Sequence, residues 1–456
     1  MRTAAFYGIV AAGLAICAVL LAGGSPARIA LACALGLLPF AAYATVVRPM
    51  VFPYALYVLL IPFDNLLNFS GSGTLTKLLG MISGFALLFW CVRIRRIVDP
   101  PKALLLLGAL LLWMTLSVTW SQDPLASFNG LQPYFGLALL YCALAITPLQ
   151  VREFRVLMFI VVVSGVVSAA YGAHVFYQNP ATANSLLHRL VVQVGNTFID
   201  PNQFADALLF PLAALVIFGL RTQWLTLKFA SMAGVILMVS AIALSGSREA
   251  IVALGVIIVY YLWRTRYRLQ LLALIAIGVV GAMAQPSSMW ARFNDALSSG
   301  GAGRTSIWSV GWIAFKHNWL KGYGIASFPT AYDRFYLGVY QSYTNGWTSP
   351  AHNVILHYAV ELGIVGLLLL LGFWFAQFSA LRVIGPSHPL YDYRVLLEGA
   401  LLGLFVTAMF IDLFTYKYAW LIFAMAAQLR SLATAPGPDV LPVRGQVQEA
   451  QSLTAA

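Results

Sequence analysis

One histidine, His352, has the setting that best suits proton transfer in this chain. It stands in the string Ser-Pro-Ala-His-Asn, where a long polar segment meets an apolar stretch long enough for a helix. A neutral imidazole near pH 7 can take a proton from a hydroxyl group. The positive end of a helix macrodipole disfavours imidazolium, so a position at a helix N-terminus keeps the ring available as a base. The alternative is a histidine that only caps the helix or hydrogen-bonds the loop.

Two arginines have settings that favour anion binding. Arg248 lies in Ser245-Gly246-Ser247-Arg248-Glu249, and Arg304 follows Gly300-Gly301-Ala302-Gly303. Small neighbours allow close approach, and a forked guanidinium suits phosphate oxygens better than a lysine does. Two alternatives stay open: a salt bridge from Arg248 to Glu249 or another carboxylate, and a solvated Arg304 in a flexible linker. The glycine-rich string is not a P-loop, because no Lys-Ser/Thr pair follows it.

A second polar turn, Asp200-Pro201-Asn202-Gln203, precedes another apolar segment. Asp200 or Asn202 could simply cap the helix that follows. An exposed helix start also donates backbone N–H groups to anions, so Asn202 is a candidate substrate-binding residue. Arg189, in the same region, is a third positive candidate without an assigned role.

The sequence offers few ligands for a metal and few groups for ion coupling. No Asp-x-Asp pair or close carboxylate cluster is present on the predicted outer side, and the four cysteines have no paired spacing, so we expect neither a metal nor a cofactor. Ionisable residues within apolar segments are mainly Asp206, Glu361 and Asp412. A proton-driven transporter usually needs a relay of such groups, and transport is therefore disfavoured though not excluded.

The composition is that of an integral membrane protein. Of 456 residues, 61% are hydrophobic and 9% charged, and the mean hydropathy is +0.83. The formal net charge of +12 could suggest nucleic acid, but the basic residues form short clusters between apolar segments. Membrane orientation explains them better, and we expect no nucleic-acid partner.

Apolar runs near 20 residues predict an all-α polytopic fold with about 12–14 transmembrane helices. The count could be twelve because two short segments could be half-helices or interfacial. The first run could also be mistaken for a signal peptide. The candidate spans cover residues 5–22, 28–47, 51–67, 75–93, 103–120, 131–148, 154–177, 203–220, 226–245, 249–264, 269–285, 353–380, 395–414 and 417–431.

Charge in the loops predicts the orientation. With the N-terminus inside, about seventeen Lys and Arg residues face the cytoplasm and about ten face outward, as the positive-inside rule requires. Four regions follow: N-terminal transmembrane helices at 1–285, a long periplasmic loop at 286–352, C-terminal helices at 353–433, and a disordered cytoplasmic tail at 434–456. Aromatic residues at helical spacing from Trp308 to Trp319 predict an interfacial helix in the loop.

These motifs, in this order, resemble the O-antigen ligase and polymerase superfamily of bacterial inner membranes. The resemblance is carried by Ser245-Gly246-Ser247-Arg248, by Gly303-Arg304 with Trp308, by Gly322-Tyr323-Gly324, and by His352-Asn353 leading to Glu361-x-Gly363-x-x-Gly366. Asp200-Pro201-Asn202 adds an upstream match. The likeness covers about residues 195–430, and the first half of the chain matches only in hydropathy.

The resemblance implies a fold similar to the GT-C glycosyltransferases, with about twelve helices. It also implies transfer of a preassembled glycan from undecaprenyl pyrophosphate. In ligases the acceptor is a sugar hydroxyl of the lipid A-core oligosaccharide, and in polymerases it is the end of another lipid-linked repeat. The family's loop histidine maps to His352 and its outer arginines to Arg248 and Arg304, whereas Arg189 is less certain.

The leading hypothesis is therefore an O-antigen ligase acting on the periplasmic side in lipopolysaccharide biosynthesis. His352 would deprotonate the acceptor hydroxyl, and Arg248 and Arg304 would bind the pyrophosphate leaving group without a metal. Inversion at the anomeric carbon is expected. An O-antigen polymerase with the same residues, or a transporter of polysaccharide or lipid-linked glycan, stays as an alternative.

Overall fold

A computed structural model gives the fold of the chain. It describes residues 41–66, 68–69, 73–178, 189–190, 192–194, 197–265, 304–340 and 350–434, with a few single positions between 267 and 276. The predicted spans at 5–22 and, for the most part, at 28–47 and 269–285 lie outside these residues. So does nearly all of the predicted tail.

The described residues are almost wholly helical. Two short antiparallel hairpins interrupt the helices, β1 (Asn68–Phe69) with β2 (Gly73–Thr74), and β3 (Gln193–Val194) with β4 (Thr197–Phe198). The helices, in chain order, are α1 (Tyr54–Leu60), α2 (Leu75–Ile94), α3 (Ala103–Ser117), α4 (Pro124–Ile146), α5 (Val151–Gln178), α6 (Pro201–Arg221), α7 (Leu225–Ser245), α8 (Arg248–Arg264), α9 (Arg304–His317), α10 (Phe328–Phe335), α11 (Val354–Leu381), α12 (Tyr391–Ala408) and α13 (Lys417–Thr434).

Seven of the described helices are long and apolar enough to cross a membrane. These are α2, α3 with the 3-10 turn that extends it to Trp120, α4, α5, α6, α7 and α11, with mean hydropathies from 1.2 to 2.3. The prediction of an all-α polytopic membrane protein is confirmed. The total of 12–14 helices and the likeness to GT-C glycosyltransferases stay predictions.

The predicted span at 51–67 is wrong as a full crossing. The apolar helical stretch there runs only from Tyr54 to Asp64, because α1 passes into a 3-10 helix at Ile61. Pro62, which lacks a backbone N–H, follows at once. Three other predicted spans correspond to α8, α12 and α13, which are helical but not among the seven: α8 has 17 residues, and α12 carries three charged side chains.

The core lies around α13. Almost every side chain of this helix is buried, and α13 packs against α4, α11 and α12. Its Trp420 and Phe423 meet Phe373 of α11 and Tyr141 of α4, with ring centroids 5.1–6.3 Å apart. Aromatic side chains in such edge and tilted contacts give the bundle a closely packed centre.

A kink in α11 joins the membrane part to the predicted outer segment. Gly363 has φ +64° and ψ −168°, a conformation open essentially only to glycine, and the helix changes direction there. Two carbonyls next to the kink accept hydrogen bonds from the chain that follows α9: Val360 from the Tyr323 N–H at 3.0 Å and Glu361 from the Gly324 N–H at 2.7 Å. The Gly322-Tyr323-Gly324 motif is therefore the strip of backbone that docks on the bent helix.

The Glu361 side chain completes this junction. Its carboxylate is fully buried and accepts the backbone N–H groups of Ala326 and Phe328, each at 2.9 Å. Phe328 begins α10, so the carboxylate receives orphan donors at a helix start. The described parts of the segment 286–352, α9 and α10 among them, are thus fixed to α11, while the boundaries of the four predicted regions stay a prediction.

Replacing Gly363 with alanine is expected to destabilise the protein. The backbone conformation alone costs about 1–3 kcal/mol for a residue with a side chain. A Cβ there would also lie 2.3 Å from the Leu320 carbonyl oxygen. Thermal unfolding in detergent should show a lowered Tm for Gly363→Ala. The matched change Gly372→Ala, in the same helix with only the Leu106 side chain at 3.5 Å, should leave the Tm unchanged or slightly raised. Equal Tm values for the two variants would contradict the junction.

Candidate functional site

The turn before α6 positions two of the predicted residues. Asp200 is the N-cap, and its carboxylate accepts from the N–H groups of Asn202 at 2.8 Å and Gln203 at 3.2 Å. Capping is therefore its role in the fold. The Asn202 side chain is left to accept a hydrogen bond from Arg189, whose Nε also donates to the Ser245 carbonyl at 2.5 Å. Arg189 thus bridges the start of α6 and the end of α7.

The Ser-Gly-Ser-Arg motif forms the turn between α7 and α8. Gly246 takes a left-handed conformation at the end of α7, with φ +64°, and the Ser247 hydroxyl caps α8 by accepting from the Ala250 N–H. Arg248 is the first residue of α8. Arg248 therefore lies close to the end of α7, where the Ser245 carbonyl accepts the hydrogen bond from Arg189.

Arg304, the first residue of α9, approaches from the outer segment. Its Nη2 lies 3.8 Å from Oε1 of Glu249, a carboxylate that is 5% exposed. Glu249 thus pairs with an arginine from a different element of the fold. The alternative of a solvated Arg304 in a flexible linker is wrong, because the residue is helical and paired.

The three arginines line one cavity. Its volume is about 310 Å³, and Arg189, Asn202, Arg248 and Arg304 all contribute to its wall. Glu249 is the carboxylate in that wall, so the described lining carries three positive charges and one negative charge. Such a concentration of guanidinium groups suits an anion with several oxygens, because each can donate in a fork.

His352 lies beside this cavity and not in its wall. It directly precedes Asn353, the N-cap of α11, and has φ +49°, an uncommon conformation for a non-glycine residue. Its neighbours on both sides are fixed. The Trp308 indole donates to the Ala351 carbonyl at 3.1 Å, and the Asn353 amide donates to the Met409 carbonyl at 3.1 Å. Trp308 also lines the cavity, and so links histidine and arginines.

The surroundings of His352 favour its neutral form. Burial lowers its pKa, the charge of Arg304 lowers it further, and Asp200 acts in the opposite sense. The predicted position near a helix N-terminus is confirmed, and the helix dipole works in the same direction as burial. These effects favour the neutral imidazole, the form that is able to accept a proton.

The sequence interpretation missed a largely buried group of ionisable side chains, of which only Glu361 is fully buried. His357 has Nε2 at 3.1 Å from Glu361 and Nδ1 at 3.2 Å from Asp412. Its ring stacks on Phe328 with centroids 5.7 Å apart. His357 and Glu361 are four residues apart on one helix, a spacing that indicates contact, but the approach of Asp412 depends on the turn after α12. Glu249 was likewise considered only as a partner of Arg248.

No set of three or more metal-binding side chains suited to an ion is found among the residues that the structure describes. The expectation that the protein works without a metal stays a prediction.

One family model matches part of the chain. Residues 233–371 match the family described as O-Antigen ligase, and the matched stretch contains Arg248, Arg304, His352 and the kink of α11. The match supports an O-antigen ligase-type family for this stretch. The match supports a ligase or polymerase type of function in lipopolysaccharide biosynthesis, with lipid-linked glycan and membrane lipids involved. No curated protein matches the chain.

The pKa of His352 is expected to lie below the 6.5 that an unperturbed histidine shows. NMR titration of histidine-labelled protein in detergent measures it, with the resonance assigned from the spectrum of His352→Gln. Because Arg304 lowers this pKa, Arg304→Gln should raise it, while the resonance of His388 should not change. A midpoint at or above 6.5 in the wild type, or no change in Arg304→Gln, would contradict the electrostatic link.

Proposed function

We propose that the protein is an O-antigen ligase of the bacterial inner membrane. It would be a glycosyltransferase that moves O-antigen from undecaprenyl pyrophosphate to lipid A-core oligosaccharide on the periplasmic face. The observation that carries this proposal is the convergence of Arg189, Arg248 and Arg304 on one cavity, next to His352, whose pKa is lowered by burial and whose two neighbours in sequence are hydrogen-bonded.

The cavity suits the pyrophosphate of the donor. Arg248 and Arg304 would contact its oxygens and stabilise the charge that grows as the glycosidic bond breaks. Arg189 would add a third guanidinium, oriented by Asn202. On donor binding, Arg304 would exchange part of its 3.8 Å contact with Glu249 for the stronger charge of the phosphates.

An apolar groove of about 480 Å³ supports a lipid-linked donor. It runs along α8 and faces α12, and Val252 lines both this groove and the arginine cavity. Val259 and Trp263 continue it and are 67% and 71% exposed. From Val252 to Trp263 the helix rises about 16 Å. A polyprenyl tail could follow this face into the bilayer while its head stays among the arginines.

The reaction would need one base and no covalent intermediate. His352 takes the proton of the acceptor hydroxyl, and that oxygen forms a bond to the anomeric carbon of the donor. The bond from the anomeric carbon to the pyrophosphate oxygen breaks on the opposite face, which inverts the configuration. The electron pair stays on undecaprenyl pyrophosphate beside the arginines, and His352 returns its proton to solvent.

Purified protein mixed with lipid-linked O-antigen and lipid A-core, without ATP or an ion gradient, tests the function. We expect glycan on lipid A-core. Longer lipid-linked chains would instead identify a polymerase, and the absence of any covalent product would favour a transporter.

Added EDTA should leave this transfer intact, because arginines supply the positive charge that a divalent ion would otherwise bring. The transfer assay with purified protein, lipid-linked O-antigen and lipid A-core measures this. Loss of product with EDTA, restored by a divalent cation, would contradict the metal-free mechanism.

Gly255→Phe tests the groove. A Cβ at Gly255 meets nothing within 4 Å, so the new ring would enter the groove without displacing described side chains. We expect a raised KM for the undecaprenyl donor, by roughly tenfold or more if several buried methylenes are displaced. A short-chain donor should be affected much less. The matched control is Gly108→Phe on α3, where a Cβ also meets nothing within 4 Å. Equal KM values for both variants would remove the groove from the donor site.

A further inference from the structure

A larger apolar cavity lies at the opposite end of α6 from the arginine site. Its volume is about 890 Å³, and four helices, α5, α6, α7 and α12, form its wall. It is within the range of about 300–1,000 Å³ that is usual for ligand sites. A cavity therefore lies at each end of α6. Asn202, near the start of the helix, lines the first cavity, and Arg221, its last residue, lines the second.

The wall of this second cavity is apolar and open to the side. Phe159, Phe218 and Leu227 line it with exposures of 59%, 42% and 41%. Small exposed residues of α7, Ala230 and Ala233, keep space between the helices. A lateral apolar opening of this kind suits hydrocarbon chains from the surrounding bilayer.

Two arginines give one end of this second cavity a positive charge. Arg155, near the start of α5, and Arg221, the last residue of α6, both line it. Arg221 lies 3.4 Å from Asp392 and 5.3 Å from the ring centre of Tyr393, so it is held in place at the rim. Two arginines and one partly exposed carboxylate leave a net positive rim.

The positively charged rim of this cavity lies near one face of the membrane. The 21 residues of α6 rise about 32 Å, close to the thickness of the hydrocarbon core. The rim with Arg155 and Arg221 therefore lies at the level of the headgroups on the face opposite the catalytic cavity. This is the face that the positive-inside rule assigns to the cytoplasm.

We propose that this cavity binds an anionic phospholipid of the leaflet opposite the active site. The acyl chains lie against the apolar wall of α5, α6 and α7, and the phosphate of the headgroup contacts Arg155 and Arg221. Basic residues at this depth attract anionic headgroups, and a zwitterionic lipid of the same chain length lacks the net charge that they select.

Native mass spectrometry of the intact protein in detergent tests the site, with phosphatidylglycerol and phosphatidylcholine of identical chains as probes. The wild type should retain one phosphatidylglycerol at roughly 25-fold lower lipid concentration than phosphatidylcholine, because each of two basic residues contributes about fivefold. Arg155→Gln and Arg221→Gln should each reduce this preference by about fivefold, the contribution of one basic residue near a membrane surface. The matched control is Arg152→Gln on the same helix, which removes an equal charge outside the cavity and should keep the preference.

A second pair of variants tests the apolar wall. Ala233→Trp fills the cavity from an exposed position and should weaken binding of both lipids, whereas Ala109→Trp, exposed on α3, should not. Thermal unfolding confirms that each variant is folded. Equal binding of the two lipids by the wild type, equal effects of Arg152→Gln and Arg155→Gln, or unchanged lipid retention in Ala233→Trp would overturn the proposal.

Discussion

The hydrogen bonds between the bent part of α11 and the chain after α9 are the constraint on which the site depends. Within a bilayer, a kink leaves carbonyls that must find donors inside the protein. Here Tyr323 and Gly324 supply them, and the buried Glu361 carboxylate accepts two further N–H groups from the start of α10. Because α9 packs on the same helix, these bonds also determine where Arg304 arrives.

The site is built from helix ends, which explains its chemistry. The start of α6, the turn from α7 to α8 and the starts of α9 and α11 meet there, and each helix start presents the positive end of its dipole. Three arginines at these helix starts give a positive potential, which disfavours the binding of a metal cation. Burial, and after it the charge of Arg304, lowers the pKa of His352, so an arginine proposed to hold the pyrophosphate also favours the neutral form of the proposed base.

Much of this was predictable from the sequence, because short motifs carry local geometry. The predicted membrane helices, the cap at Asp200 and the candidate arginines followed from hydropathy and turn chemistry, whereas the cap before α11 is Asn353 and not His352. The contacts of Arg189 with Asn202 and of Arg304 with Glu249 did not follow from the sequence, since they join residues from separate parts of the fold. The group of His357, Glu361 and Asp412 was missed although His357 and Glu361 have helical spacing, because the approach of Asp412 depends on the turn after α12. That turn has no signal in the hydrophobic periodicity of the sequence.

Single-turnover transfer by His352→Ala, measured together with donor binding, tests the central claim most directly. The account predicts a rate lowered by roughly a hundredfold to ten-thousandfold, as for the loss of a general base. Binding of the lipid-linked donor should remain at the wild-type affinity, because the arginines hold its pyrophosphate. A folded His352→Ala protein that transfers glycan at a near wild-type rate would contradict the account and leave His352 as a residue that only shapes the start of α11.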